Sequence, residues 1–375
     1  MLQFKRYDFK KYDVFLLLLV IIISGIGLYL IKLVDDSDPS LSVYKKQVFG
    51  IIVGLFTAVV VSLIDYHFIS RFMWPLYVIN IILLILVRLV GVESHGARRW
   101  LNIGIQFQPS EISKIIMIIF MANFFTHYQE KINKLSTILL SILLMGIPTG
   151  LILIQTNLST SIVMAFIFVM LLFAAGLSYK IILPIIAVVA PLSIGIFWYI
   201  QQPYQKIIAE YQQDRVLAFL NPELYGSSIM YQQNNSVQAI GSGRLYGKML
   251  EQGVESASNK TYVAEAHTDF IFTVIGEEFG FLGCCVIIGL LALVVIKCIL
   301  IARKAKDQTG MLIAVGVASM MMFQVFVNIG VNTSILPNTG LTLPFVSYGL
   351  SSLISNMMGI GLVLNIGIQR KLYRG

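Results

Sequence analysis

The residues best suited to chemistry lie in short polar stretches set between long apolar runs. Glu265, His267 and Asp269 fall within YVAEAHTDFIF. Carboxylates clustered with a histidine could ligate a metal, act as a general base or cap a helix. Arg98, Arg99 and Trp100 form a cationic and aromatic cluster in GARRW. Two guanidinium groups could clamp a diphosphate while the indole offers a platform for an apolar or sugar face. The bland alternative is an interfacial tryptophan with arginines on lipid headgroups. Gln108-Pro109-Ser110-Glu111 follows, with Lys114 on the same helical face as Glu111. Proline suits a first helical position, and charges at i and i+3 can pair. Such a pair could merely snorkel, yet ionisable groups at the mouth of an apolar run are costly enough to suggest a task. Glu277 and Glu278 lie deeper, inside the run after Asp269, where a carboxylate must be paired or protonated.

Membrane helices must position all of these. Only 12% of the 375 residues are charged and 57% are hydrophobic, against about 25% charged in a soluble domain. Disorder, a nucleic-acid-binding domain and a disulfide-built secreted module are excluded. The net charge of +8 therefore points to basic inner loops, not to nucleic acid. The fold class expected is all-α and polytopic, because barrel strands would alternate over short segments. Cys284, Cys285 and Cys298 share one apolar run and act as small hydrophobes.

Ten apolar segments are predicted, at 14–33, 46–64, 75–90, 111–126, 137–154, 159–177, 181–200, 270–299, 311–334 and 345–368. Each is near the ~20 residues that cross ~30 Å of hydrocarbon. The first reads as a retained helix, since no signal-type cleavage site follows it. Ten spans put both termini on one side, and the basic residues choose the cytoplasm: Lys5, Arg6, Lys131, Lys134, Arg303 and Arg370 fall there, while Asp35, Asp36 and Asp38 fall outside. Arg98 and Arg99 sit outside against that rule, which argues for a task. The polar segment 201–269 is too long for a connector and is expected to work on the outer side. Gly241 to Gly247 is a GxGxxxG that follows no predicted strand, which argues against a dinucleotide loop. GLTLPFVSYGLSS at 340–352, with glycine, proline and hydroxyls including Ser347, predicts a broken start to the last span. Asp8, Asp13 and Asp65 flank inner helix ends and read as solvated.

GARRW at 96–100, QPSEISK at 108–114, AIGSGRLYGK at 239–248, EAHTDFIFTVIGEEFGF at 265–281 and LPFVSYGLSS at 343–352 occur in that order. Together they resemble the SEDS family of RodA, FtsW and SpoVE, leaning towards the RodA-like branch. RVLAFLNP at 215–222 resembles the family's large-loop motif. The sequence departs at Asn157, where aspartate is frequent, at Ala264, where proline is common, and at Leu350, where glycine is usual.

The resemblance implies one integral membrane domain over residues 1–375 that polymerises lipid II at the outer face of the bacterial cytoplasmic membrane. Elongation, division and sporulation all use such an enzyme. It implies that Asp269 is catalytic and that Arg98, Arg99, Trp100, Glu111 and Lys114 handle substrate. Gln108, Arg215, Glu265, His267, Glu277 and Ser347 would support them. The partners implied are lipid II, a class B penicillin-binding protein and other elongation or division proteins. Transfer to a sugar hydroxyl needs a base and positive charge for the departing diphosphate. The charge could come from the arginines, from Lys114, or from a divalent cation (Mg or Mn) with Asp269 as a ligand. A precursor flippase, a transporter and a non-catalytic scaffold are the competing readings. The ionisable groups gather at the outer side and no internal repeat is visible, which favours chemistry there.

Overall fold

The computed structural model describes residues 7–37, 43–94, 97–102, 106–202, 204–206, 210–220, 230–250, 263 and 266–369. Helices occupy all ten predicted segments. They are α1 (Val14–Ser37), α2 (Val43–Leu63), α4 (Met73–Val90), α5 (Pro109–His127), α6 (Leu135–Ile154), α7 (Leu158–Ala174), α8 (Tyr179–Ile200), α11 (Ile271–Arg303), α12 (Gln308–Asn332) and α13 (Leu350–Ile368). Among the described residues eight are long and apolar enough to cross a membrane, and α7 is a shorter apolar helix. The chain is a multi-pass membrane protein. Its outward faces carry exposed apolar side chains such as Phe56, Leu89, Phe173 and Phe326. In hydrocarbon these need no cover, whereas backbone polar groups must be satisfied internally, as helices do.

Burial sorts the helices into centre and periphery. In α5 and α13, 83% of the membrane-crossing window is buried, against 22% in α4. Close approach of α2 to α13 depends on small residues at four-residue intervals, Gly50, Gly54 and Ala58. A Cβ on Gly54 would lie 3.0 Å from Met357, and one on Gly361 would lie 2.6 Å from the Ala58 carbonyl. Leu350, one of the departures, packs directly over Gly50.

Three features differ from expectation. The all-α pattern is interrupted after α4, where β1 (Val92–Ser94), β2 (Ala97–Asn102) and β3 (Gln106–Phe107) form an antiparallel sheet in that order. Val92 opposes Trp100 and Leu101 opposes Phe107. Next, the last span starts at Leu350 instead of residue 345, because Pro344 precedes Phe345, whose φ of 65° is incompatible with a right-handed helix. Finally, Asp65 is buried, not solvated. It bonds His67, whose ring also meets Asp307, and it accepts from Gln369. This cluster ties α3 (Tyr66–Arg71) to the α11–α12 connection and the end of α13.

Among the described residues, segment 201–269 holds two α-helices, α9 (Glu210–Leu220) and α10 (Tyr231–Ser242). The glycine-rich stretch after α10 has a mechanical role. Helix α11 breaks at Gly280, which adopts φ 63° and ψ −161°. The amides beyond the break are satisfied from that stretch: Phe281 donates to the Arg244 carbonyl at 2.9 Å and Leu282 to Leu245 at 3.2 Å. A Cβ on Gly243 or Gly247 would overlap the α11 backbone at Gly276 and Glu278. The glycines permit backbone contact, not nucleotide binding.

Candidate active site

Asp269 lies in a turn, 266–270, that leads into α11. The helix has no side-chain cap of its own at Phe270. The Asp269 carbonyl accepts from the side-chain amides of Asn328 and Asn332 on α12, both at 2.9 Å. Its carboxylate faces Gly340, where a Cβ would stand 3.3 Å from Oδ2. Gly340 has φ 74°, so the position suits glycine on both counts.

The connection 333–349 wraps this point. Ser159 in the first turn of α7 donates to the Thr339 carbonyl. Asn328 also donates to the Leu341 carbonyl at 2.7 Å, and Thr342 and Ser352 share a 2.8 Å hydroxyl contact. Ser347 Oγ accepts from the Leu343 amide at 2.8 Å, which places this serine within the turn. The His267 carbonyl accepts from the Tyr348 amide at 2.8 Å, and the two rings stand 5.7 Å apart. Burial pushes the Tyr348 phenol up from its ordinary range. Both Ser347 and His267 are buried and hold the loop against the start of α11.

The QPSE turn joins the same region through α13. The Gln108 amide donates to Ser351 Oγ at 3.0 Å, and Ser355 Oγ donates to the Glu111 carbonyl at 2.7 Å. Glu111 and Lys114 form the expected pair at 2.7 Å, with the lysine fully buried. Asn157 donates to Ser110 Oγ at 3.4 Å and caps α7 by accepting from the Thr160 amide. Asparagine and aspartate cap about equally well, so this departure keeps its local role. Arg99 on β2 donates to the Thr156 carbonyl at 2.6 Å. Thr156 has φ 59°, an outlier for a β-branched residue, and such strain clusters at functional sites. Trp100 is half-buried on the same strand.

A chain of contacts thus runs from Arg99 through Thr156 and Asn157 to the QPSE turn, from that turn through the serines of α13 to loop 333–349, and from Leu341 in that loop through Asn328 to Asp269. Glu277 is separate. It pairs with Lys248 at 2.5 Å, eight residues past Asp269, or about 12 Å along a helix. Glu265 and the side chains of Arg98 and Arg215 lie outside the described residues. Among the described residues, no group of three or more His, Cys, Asp or Glu is placed to hold a metal ion.

Sequence reasoning missed Asn328, Asn332 and the serines of α13. Two amides one turn apart in an apolar span were the available signal, because polar groups in hydrocarbon demand partners.

Residues 10–372 match the FtsW, RodA and SpoVE cell cycle protein family. The chain belongs to that family. A relative from Trichlorobacter lovleyi, a probable peptidoglycan glycosyltransferase FtsW, is 34% identical over 99% of this chain and 98% of its own length. The peptidoglycan glycosyltransferase MrdB of Escherichia coli K12 is also 34% identical, over 90% of this chain and 88% of its own. Both branch names therefore occur at the same identity. Among solved structures, a chain of a peptidoglycan synthase complex that coordinates polymerization and crosslinking superposes with a TM-score of 0.79. It is 29% identical, and the match covers 97% of this chain and 99% of that one. The rod shape determining protein RodA of Thermus thermophilus follows at 0.68, with 28% identity over 97% of this chain and 98% of its own. The family's fold extends over almost all of this sequence.

Proposed function

We propose that this protein is a peptidoglycan glycosyltransferase that polymerises lipid II, with Asp269 as its base. The observation that carries the reading is the placement of Asp269. It sits at a helix entrance where α7, α12, α13 and loop 333–349 converge, with its carboxylate against Gly340. The acceptor sugar hydroxyl attacks the anomeric carbon of the lipid-linked donor with inversion, and the diphosphate leaves. A carboxylate within hydrogen-bond reach of that hydroxyl takes its proton or orients it. Arg99 is assigned to the diphosphate and Trp100 to a sugar or apolar face, on the β2 strand that anchors at Thr156. The Lys114 charge, compensated by Glu111, supports the field of the site from below. A magnesium or manganese ion brought by the diphosphate would meet Asp269 together with the substrate.

In this reading the termini lie in the cytoplasm and segment 201–269 outside, supported by Lys5, Arg6, Lys131, Lys134, Arg303 and Arg370 on the side of the termini. A class B penicillin-binding protein is the natural partner, given the synthase complex among the structural relatives. Purified protein with that partner, the partner lacking any glycosyltransferase, should consume lipid II and make glycan. Asp269→Asn keeps size, and Asn328 and Asn332 bond the backbone carbonyl of residue 269, so the variant should fold, and it should lose about 10²–10⁴-fold in rate. Wild-type-like chain formation by folded Asp269→Asn would place the base elsewhere.

A further inference from the structure

We infer that Asn328 and Asn332 are positioning residues that aim the Asp269 carboxylate, an inference that rests on Asp269 being the base. Both asparagines are buried, at 1% and 0% exposure, within a membrane-crossing helix. Side-chain amides are costly there unless bonded, and these are bonded several times over. Asn328 Nδ2 reaches the Asp269 carbonyl at 2.9 Å and the Leu341 carbonyl at 2.7 Å. One nitrogen thereby fixes residue 269 relative to the loop residue that follows Gly340.

Asn332 works from the other side. Its Nδ2 donates to the Asp269 and Asn328 carbonyls, each at 2.9 Å. Its Oδ1 accepts from the Thr273 amide at 3.1 Å and from Thr273 Oγ1 at 2.8 Å. The first amides of a helix have no intrahelical partner and are usually capped by the preceding side chain. The Phe270 side chain cannot do so; the Thr273 amide meets the Phe270 carbonyl at 3.0 Å, and Asn332 adds the side-chain cap from a neighbouring helix. Ser236 of α10 extends the network, since it donates to the Asn332 carbonyl at 2.8 Å and meets Thr273 Oγ1. A pair that merely stitched two helices could act anywhere along them. These contacts instead converge on residues 269–273 and on the loop facing the carboxylate. A base misplaced by about 1 Å can lose ~10²-fold in rate, so this bracket belongs to the chemistry.

The test is steady-state lipid II polymerisation by the purified full chain with its transpeptidase partner, across about pH 5 to 9. Wild type is compared with Asp269→Asn, Asn328→Asp, Asn332→Asp and Thr273→Val. Asn332→Asp keeps the acceptors for Thr273 and deletes the donor to residue 269. Both Asn→Asp proteins should lose at least about tenfold in kcat with KM within about threefold. Their acid limb should move to higher pH, because a new carboxylate beside Asp269 disfavours its charged form. The isosteric Thr273→Val should lose about threefold in kcat without moving the limb.

Folded Asn328→Asp and Asn332→Asp proteins with wild-type kcat would overturn the inference. So would a fall in kcat that tracks loss of lipid II binding sites with an unmoved acid limb, which marks lost folded protein. Should Asn332→Asp fail to fold, wild-type kcat in Thr273→Val overturns it. An active Asp269→Asn protein sinks the base reading itself. An inactive Asp269→Asn beside fully active asparagine variants sinks the positioning alone.

Discussion

Lys114 Nζ donates to Glu111 Oε2 at 2.7 Å one turn into α5, and the lysine side chain has no exposure at all. Breaking such a pair strands a buried charge, which typically costs about 3–5 kcal/mol, while replacing both partners is far milder. Glu111→Gln and Lys114→Met should each lower thermal stability strongly. The double variant should recover most of that stability, yet remain poor at glycan synthesis because the site has lost its cation. Thermal unfolding of the purified proteins reads the first half and lipid II turnover the second. A double variant as unstable as the sum of the singles would show that the two charges do not depend on each other.

Much of this arrangement was legible in the sequence, for identifiable reasons. The ten helices follow from hydropathy alone, since each run must satisfy its backbone within the bilayer. The Glu111–Lys114 pair follows from spacing on one helical face. The break at Gly280 was not legible. The run from 270 to 299 is apolar throughout, and the amides beyond the break find their acceptors in a segment some 35 residues earlier, at Arg244 and Leu245. The trans cap by Asn332 was hidden in the same way, because its partners lie about 60 residues away at Asp269 and Thr273. The burial of Asp65 was not legible, since Gln369 bonds it and Asp307 bonds its partner His67 only once the fold brings residues some 240 and 300 positions away together.

Gly280 gives the next prediction. Its backbone lies in a region accessible only to glycine, where another residue pays of order 1–3 kcal/mol. An added Cβ would also lie 2.5 Å from the Gly247 amide nitrogen. Gly280→Ala should therefore displace the 243–250 stretch, loosen the Lys248–Glu277 pair and expose segment 201–269 to protease. Gly289→Ala, in the same helix but with nothing within 4 Å, is the control. Equal protease resistance in the two variants would mean that the break is not held by that contact.

The His67 cluster carries a pH dependence. His67 bonds Asp65 and Asp307 through opposite ring nitrogens, each at 2.8 Å. The bond to Asp307 raises the imidazole above its ordinary value, against burial, and Asp65 adds to the rise. Burial alone would raise Asp307, but bonds from His67, the Gly310 amide and Tyr66 hold it down at about 2. Asp65 is lowered similarly, with the His67 bonds outweighing burial. A raised histidine stabilises fully below its unfolded value and loses that contribution as pH climbs through the folded one. The depressed carboxylates lose theirs only as pH falls below the ordinary range. The cluster is therefore strongest between about pH 4 and 6.5. The melting-temperature gap between wild type and His67→Gln should be largest near pH 5.5 and shrink towards pH 9, with the ion-pair part worth up to about 1 kcal/mol after solvent screening. A gap that stayed constant over that range would show that His67 is not charged in the cluster.

Arg99 separates binding from architecture. Its guanidinium already holds the Thr156 carbonyl at 2.6 Å, so it ties β2 to the junction of α6 and α7. A planar fork with five donors can serve that carbonyl and a diphosphate oxygen together, whereas a lysine ammonium, a point charge, cannot reproduce the geometry. Hydrogen bonds to charged groups are worth about 1.5–3 kcal/mol. Arg99→Ala should accordingly lower kcat/KM for lipid II by about 10–100-fold, chiefly through KM, and Arg99→Lys should recover only part of it. Thr156→Gly relieves the φ of 59° while keeping the carbonyl, so it should leave KM near wild type. Kinetics and thermal unfolding on the same preparations decide between the two roles. An Arg99→Ala protein with unchanged KM and a lowered melting temperature would make this arginine a structural tie, and the diphosphate would then have to be met by other charges.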